Sequence, residues 1–372
     1  MINFGYTEFL EKSITKISTN FHRNTRKLLF PCPMVVDKDT LNSWCSDAKR
    51  IAGKIDRVEA DEINHILQKP ARKFNCLTVD FALSENYSLK LVEASPFPNN
   101  NMIFWDHERM FRDNVVIDGL NQNERRNLLY SLTEFSHAPT YMVDEDPLNQ
   151  ITSHDFYALS KTRNIKVISL NDVKQEREGL FYVDTLRGKE FIRNLYNRVV
   201  SEGMREQDLK KLNDLIASCD NVYGDPYWRF ALSKNVIAKI EDKTIPPSFD
   251  INTFCCREFD ITEFVAKPTF GYGGRGIILH PTLADIDTLK GTNYILQERI
   301  NYAPYLEHYI LDDKLRVEVR FMFIRDKKGE LRISNIVGKA TLDGMMSIGS
   351  RSVDGEFMQK TNGMMSVLPS EK

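Results

Sequence analysis

The chain has 372 residues, 42% of them hydrophobic and 27% charged, with a formal net charge of −2 at pH 7. That length supports roughly two to three lobes, and so even a balance of charge predicts neither nucleic acid nor an anionic membrane as partner. The six cysteines (Cys32, Cys45, Cys76, Cys219, Cys255, Cys256) show no Cys-x-x-Cys spacing and no apolar run reaches the roughly 20 residues of a membrane span, which predicts reduced thiols in a cytoplasmic protein.

Leu10, Ile14, Ile17 and Phe21 recur at helical spacing, predicting an amphipathic helix over residues 7–22. Glu8 and Glu11 within this pattern do not suit a signal peptide. Ile51, Ile55 and Val58 predict a second helix over about 40–68. Next, Leu77, Val79, Phe81 and Leu83 alternate with Thr78, Asp80 and Ala82, and Leu89–Ser95 forms a second strand. A four-residue loop at Glu85–Ser88 sets Asp80 opposite Glu93 and Thr78 opposite Ser95. Directly opposed carboxylates repel. A divalent cation between them relieves that repulsion, and all-oxygen ligands suit Mg²⁺; a solvated hairpin whose acids face water is the plainer alternative.

Residues 105–135 read as polar helix, clearest over Asn123–Leu132. From Ala138 the texture changes. Strands at Lys166–Leu170 and Leu180–Val183 alternate with helical segments, an α/β arrangement. Ile192–Arg198 carries two arginines in an apolar frame, most simply exposed charges. Residues 227–247 read as helix, with Lys234 in the amphipathic stretch Leu232–Ile240 and Pro246-Pro247 as its end.

Glu263–Gly276 is the most informative stretch. Phe264-Val265-Ala266 reads as a buried strand delivering Lys267, and Pro268 ends it. Gly271, Gly273, Gly274 and Gly276 follow, then a second apolar run, Ile277–Leu279. Bare backbone N–H groups beside an ammonium suit a phosphate. The lysine precedes the glycines, which excludes the Walker spacing, and His280-Pro281 excludes the helix that a dinucleotide fingerprint needs. An ordinary glycine-rich hairpin is the alternative. Further on, Tyr294–Ile300 is an apolar strand carrying Gln297 and Glu298, which reads as a rail of free backbone amides for a purine. Leu315, Val317, Val319, Phe321 and Phe323 alternate with Arg316, Glu318, Arg320 and Met322, giving one apolar face and one that offers cations to an anion. Gly329 turns the chain into Leu331–Val337, and the glycine-rich residues 343–372 read as loop.

With these motifs in hand the chain resembles the ATP-grasp ligases. Lys234 in Leu-Ser-Lys-Asn and Lys267 in Val-Ala-Lys-Pro look like the family's pair of phosphate-binding lysines. Ile295–Ile300 resembles the adenine-binding hinge, and Val79-Asp80-Phe81 with Leu91–Pro96 resembles its metal motif. Ser95 stands where the family has Asn, with Asn99 and Asn100 nearby, and Thr78 stands where several members place an Arg that Arg320 or Arg316 would supply. The acidic hairpin precedes the flap, an order similar to the circularly permuted group that includes glutathionylspermidine synthetase.

The resemblance implies a mixed α+β and α/β protein: two ATP-grasp lobes, permuted, with an added pre-ATP-grasp-like α/β domain. Residues 1–137 would give the part of the C-terminal lobe with the metal hairpin, 138–226 the α/β domain, 227–303 the nucleotide lobe, and 304–372 the remaining strands and tail. It implies ATP and Mg²⁺ as cofactors and a ligation in which a carboxylate takes the γ-phosphate and an amine attacks the acyl phosphate. In that scheme Lys234, Lys267, Gly271, Gly273, Gly274 and Gly276 hold phosphates, Gln297, Glu298 and Ile300 hold adenine, and Asp80, Glu93 and Ser95 hold the metal. Arg320, Arg316 and Lys267 stabilise transferred charge. Small-molecule or peptide carboxylates and amines are the implied partners, and a homodimer is compatible with it. An ATP-grasp-type kinase and a non-catalytic nucleotide-binding protein are the alternatives.

Overall fold

A computed structural model describes residues 33–57, 75–96, 101–133, 138–149, 153–162, 164–176, 179–199, 204–224, 232–254, 259–271, 274–307, 314–341 and 362–370. The predicted helix over 7–22, the far end of the helix over 40–68, and Asn99, Asn100 and Gly273 lie outside them.

The described chain starts with strand β1 (Met34–Val36) and helix α1 (Lys38–Ile55). Asp37 caps the helix, its Oδ1 accepting the N–H of Thr40 at 2.8 Å, which satisfies an amide the helix itself leaves open. Leu41, Trp44, Cys45, Ala48, Ile51, Ala52 and Ile55 form its buried stripe. The hairpin β2 (Cys76–Leu83) and β3 (Leu89–Ser95) follows, then helices α2 (Asn101–Phe111) and α3 (Gln122–Thr133). Arg125 and Glu108, both fully buried, tie α3 to α2 through an ion pair of 2.5 Å.

Next comes an α/β unit. Its strands β4 (Thr140–Asp144) and β5 (Ile165–Ser169) flank helix α4 (Ser153–Thr162). A small meander follows, β6 (Lys174–Gln175), β7 (Phe181–Thr185) and β8 (Gly188–Phe191), before β9 (Asn194–Asn197), helix α5 (Glu206–Ser218) and β10 (Asn221–Tyr223). The parallel sheet runs β10-β9-β4-β5. Tyr141, Val143, Leu195 and Val222 pack on one face with α5, whereas Met142, Tyr196 and Tyr223 pack on the other with Trp105 and Phe156. Covering on both faces is what a parallel sheet requires.

The expected helix over 227–247 is only α6 (Lys234–Ala238) among the described residues. Strands β11 (Ser248–Asp250) and β12 (Phe264–Pro268), helix α7 (Leu283–Leu289) and β13 (Tyr294–Glu298) then form a three-stranded sheet, β11-β13-β12, backed by the helix. Phe264, Ala266, Leu296 and Ile286 make its core.

Last are β14 (Pro304–Glu307), β15 (Lys314–Arg325), β16 (Leu331–Thr341) and β17 (Asn362–Pro369). They join the first strands in the largest sheet, ordered β1-β17-β16-β15-β2-β3 with β14 beside β15. Here the expectation of a loop-like tail is corrected: β17 lies inside that sheet, antiparallel to β16 and parallel to β1. Its Met364, Met365, Val367 and Leu368 are buried, so two partner strands and a core outweigh the nearby glycines. The predicted two-faced strand is β15. Its Val317, Val319, Phe321 and Phe323 meet Leu77, Val79 and Phe81 in the core with α1. On the opposite face, Trp105 of α2 bonds the Ser334 carbonyl at 3.2 Å and covers one end, while Arg316 and Glu318 at the other end line a cavity. No helix among the described residues is long and apolar enough to cross a membrane.

Phe321 is wholly buried and meets Phe81 edge-on at 5.9 Å. Phe321→Ala is expected to cost about 3–5 kcal/mol in urea unfolding. Leu186→Ala, at a fully exposed hairpin tip, leaves the midpoint unchanged.

Candidate functional site

The β2–β3 hairpin places Asp80 opposite Glu93 and Thr78 opposite Ser95, as the sequence predicts, but by another route. Its loop spans residues 84–88, closed by the Ser84 N–H donating to the Ser88 carbonyl at 3.0 Å. Leu83 then pairs with Leu89, and a bulge between Asp80 and Phe81 absorbs Val92. Loop and bulge offset each other, so both carboxylates share a face.

What stands between them is a guanidinium. Arg320, the β15 partner of Asp80 in the ladder, donates Nε to Asp80 Oδ1 at 2.6 Å and Nη2 to Oδ2 at 2.7 Å. It also lies 3.9 Å from Glu93 Oε1. Lys339 on β16 donates to Asp80 Oδ2 as well, and to Glu318 Oε2 at 3.2 Å. Glu318 also accepts the Tyr302 hydroxyl at 2.7 Å. Burial alone would raise the pKa of Asp80, but Arg320 and Lys339 outweigh it and hold the group far below the usual carboxylate range. Glu318 goes the other way: burial pushes it up and Lys339 only partly opposes this.

This geometry bears on the expected metal ligands Asp80, Glu93 and Ser95. Both oxygens of Asp80 are already bonded to cations, and among the described residues no group of three or more His, Cys, Asp or Glu could hold a metal. Removing one partner of such a buried pair costs about 3–5 kcal/mol. The side chains as placed therefore do not fit a divalent ion at Asp80. The repulsion between facing carboxylates is relieved by the neighbouring strand.

The two lysines come together at the flap. Lys267, at the end of β12, is 8% exposed, and its Nζ donates to Gln297 Oε1 at 2.7 Å. Lys234 opens α6 after its Ser233 cap; its backbone N–H bonds the Thr269 carbonyl and its Nζ reaches the Gly271 carbonyl at 3.4 Å. Burial, then the charge of Lys234, lowers Lys267 to about 8, against the pull of Glu318 and Glu93. Lys267 is thus a buried ammonium, not a surface charge. The second flap strand shrinks to one bridge, Ala266 to Ile278. Glycine is required at Gly276, where φ is +73° and a Cβ would lie 2.9 Å from the Tyr294 hydroxyl that bonds the Gly276 carbonyl.

A cavity of about 370 Å³ joins these pieces. Its walls include Glu93, Lys267, Gly274, Gln297, Glu298, Ile300 and Arg316, all singled out in the sequence. Asp80, Ser95, Lys234, Gly271, Gly276 and Arg320 are not among its lining residues. The rail needs correction. β13 is the central strand of its sheet, so its amides are shared with β11 and β12. The N–H of Glu298 goes to Pro247 and that of Arg299 to Glu263. Ile300, the next position, lines the cavity.

Sequence reasoning missed Lys339 and Tyr302, and left Glu318 without a role. The signal for Lys339 was the β15–β16 hairpin: Glu318 lies directly opposite Lys339. The second strand was expected only as far as Val337, two residues short. A bulge between Met322 and Phe323 also shifts the register.

No protein-family model matches the chain and no curated protein is similar to it. Among solved structures, the "Putative gamma-glutamylcysteine synthetase" of Methylobacillus flagellatus KT is similar over 84% of this chain and 85% of its own, at 12% identity and a TM-score of 0.39. So slight a likeness carries no functional argument.

Lys267 makes stability depend on pH. Its pKa falls from an ordinary 10.5 to about 8 on folding, so between these values the unfolded chain binds more protons and stability rises with pH. Below pH 8 both states are charged and the burial penalty is felt in full. Lys267→Met is expected to abolish this rise, read as the difference between variant and parent in urea midpoints at pH 7.5 and pH 10.

Proposed function

We propose that the chain is an ATP-dependent carboxylate–amine ligase with its nucleotide in the cavity between the β11-β13-β12 sheet and the charged face of β15. The observation that carries this reading is the convergence of Lys267, Gly274, Gln297–Ile300, Arg316 and Glu93 on one cavity. Its volume of about 370 Å³ falls within the roughly 300–1,000 Å³ usual for small-molecule sites.

In this reading Lys267 and the flap at Gly274 bind the phosphates, with the Lys234 charge behind Lys267, and the segment ending at Ile300 lies against the base. Arg316 faces the transferred phosphoryl group, where catalysis depends on positioning and charge neutralisation more than on covalent help. The substrate carboxylate takes the γ-phosphate, and an amine then displaces phosphate from the acyl phosphate to form the amide. Because the side chains as placed do not fit a divalent ion at Asp80, no step here is routed through a metal at that residue. A non-catalytic nucleotide-binding protein is the second reading, favoured by the tying of Asp80 to Arg320 and Lys339.

Calorimetry with ATP and Mg²⁺, followed by a screen of amino acids and short peptides for stimulated ADP release, tests both. ADP release coupled to an amide product supports the ligase, binding without turnover supports the second reading, and absence of binding overturns both. ATP at about 100 times its Kd is expected to stabilise the parent by about 2.7 kcal/mol. Lys267→Met should lose most of this, because it removes a charge-assisted bond to phosphate. Stabilisation by ATP equal to that of the parent would put the phosphates elsewhere.

A further inference from the structure

Of the two cations bonded to Asp80, Lys339 lines the cavity together with Glu318, while Arg320 does not. Asp80, Arg320, Glu318 and Lys339 sit on three adjacent strands at positions fixed by the backbone ladders: Arg320 opposite Asp80, and Glu318 opposite Lys339. Asp80 is 1% exposed and is not among the residues lining the cavity, whereas Lys339 and Glu318 are. A ligand entering from the cavity therefore meets the Lys339 ammonium, with the Asp80 carboxylate behind it. Tyr302 holds Glu318 from the other side at 2.7 Å. With both its carboxylate partners fixed, the ammonium cannot swing away without leaving buried charge uncompensated.

Resting on the nucleotide-site reading above, we propose that Asp80 is a post for two of the chain's own cations, Arg320 and Lys339. Lys339 is then a nucleoside-triphosphate-binding residue, and ATP binds this cavity without a divalent metal. Lys267 and Arg316 line the same cavity, so the phosphates meet ammonium and guanidinium groups from separate strands. Such charge-assisted bonds supply the neutralisation that a bound metal ion otherwise gives. Glu85, Glu93, Glu298 and Glu318 also line the cavity, but among the described residues no three His, Cys, Asp or Glu side chains come together as a group that could hold a metal ion.

The test compares ATP binding by calorimetry in EDTA with binding in excess Mg²⁺, using the unaltered full chain. Affinities within about threefold of one another are expected, a difference of under ~0.7 kcal/mol. Binding in Mg²⁺ with a loss of about tenfold or more in EDTA, 1.4 kcal/mol, overturns the proposal and leaves the nucleotide-site reading standing. No binding in either condition overturns both. Lys339→Met is expected to weaken metal-free ATP binding about tenfold or more, with Lys339→Arg retaining most of it; unchanged affinity in a folded Lys339→Met chain counts against the proposal. Mn²⁺ titrated alone, followed by its electron paramagnetic resonance, should show no saturable uptake. Saturable uptake that disappears in Asp80→Asn would show that the carboxylate releases its cations to a metal, and would overturn it independently of any nucleotide.

Discussion

The constraint on which the site depends is the lateral alignment of β2, β15 and β16. Asp80, Arg320, Glu318 and Lys339 can neutralise one another only while three strands keep a single register. Each strand has one apolar and one polar face, so a slip of one residue would send these charges into the core beside Phe321 and Phe81. The apolar packing against α1 and the ion pairs on the opposite face thus specify the same register. Buried ion pairs contribute little net stability compared with well-packed hydrophobic residues. Their value here lies in holding ionised groups in a fixed arrangement at the edge of a cavity.

The sheet with β12 and β13 supplies the other wall, and it works by a different division of labour. Ala266 and Leu296 face α7, while Lys267 and Gln297 turn the other way and bond each other. Gln297 is held in turn by its Nε2 donating to the Ser248 hydroxyl at 3.1 Å. Lys267 is therefore positioned by a neutral amide and stays short of a full counter-ion. A buried ammonium without a paired carboxylate keeps its attraction for an incoming anion, at the expense of a lowered pKa.

How much of this could be read from the sequence depended on the range of the interactions. Alternation in β2 and β15, the capacity of Phe264–Ala266 to deliver Lys267, and the facing of Asp80 and Glu93 are local patterns, and each was legible. The facing was reached through a loop one residue too short, which the unseen bulge at Val92 cancelled. What a hairpin cannot reveal is its outer neighbour. The cation bonded to Asp80 comes from a residue 240 positions later, so local reasoning answered the facing acids with a metal and could not see Arg320. The same blindness to partners turned β17 into a loop and gave β13 free amides. Both assignments needed the strand order, which no periodicity encodes.

That separation also governs the order in which the protein can be assembled. The β2–β3 hairpin leaves the ribosome long before β15, and until then Asp80 has no counter-ion and the long edge of β2 no partner. β1 waits longer still for β17. Closing loops of this length before any contact rewards them makes folding slow, and an apolar strand with an open edge is prone to pair with other chains meanwhile. The buried acid at Asp80 eases that interval: unpaired, it stays ionised and keeps the nascent hairpin wet, and it becomes dry only when Arg320 arrives to cover it.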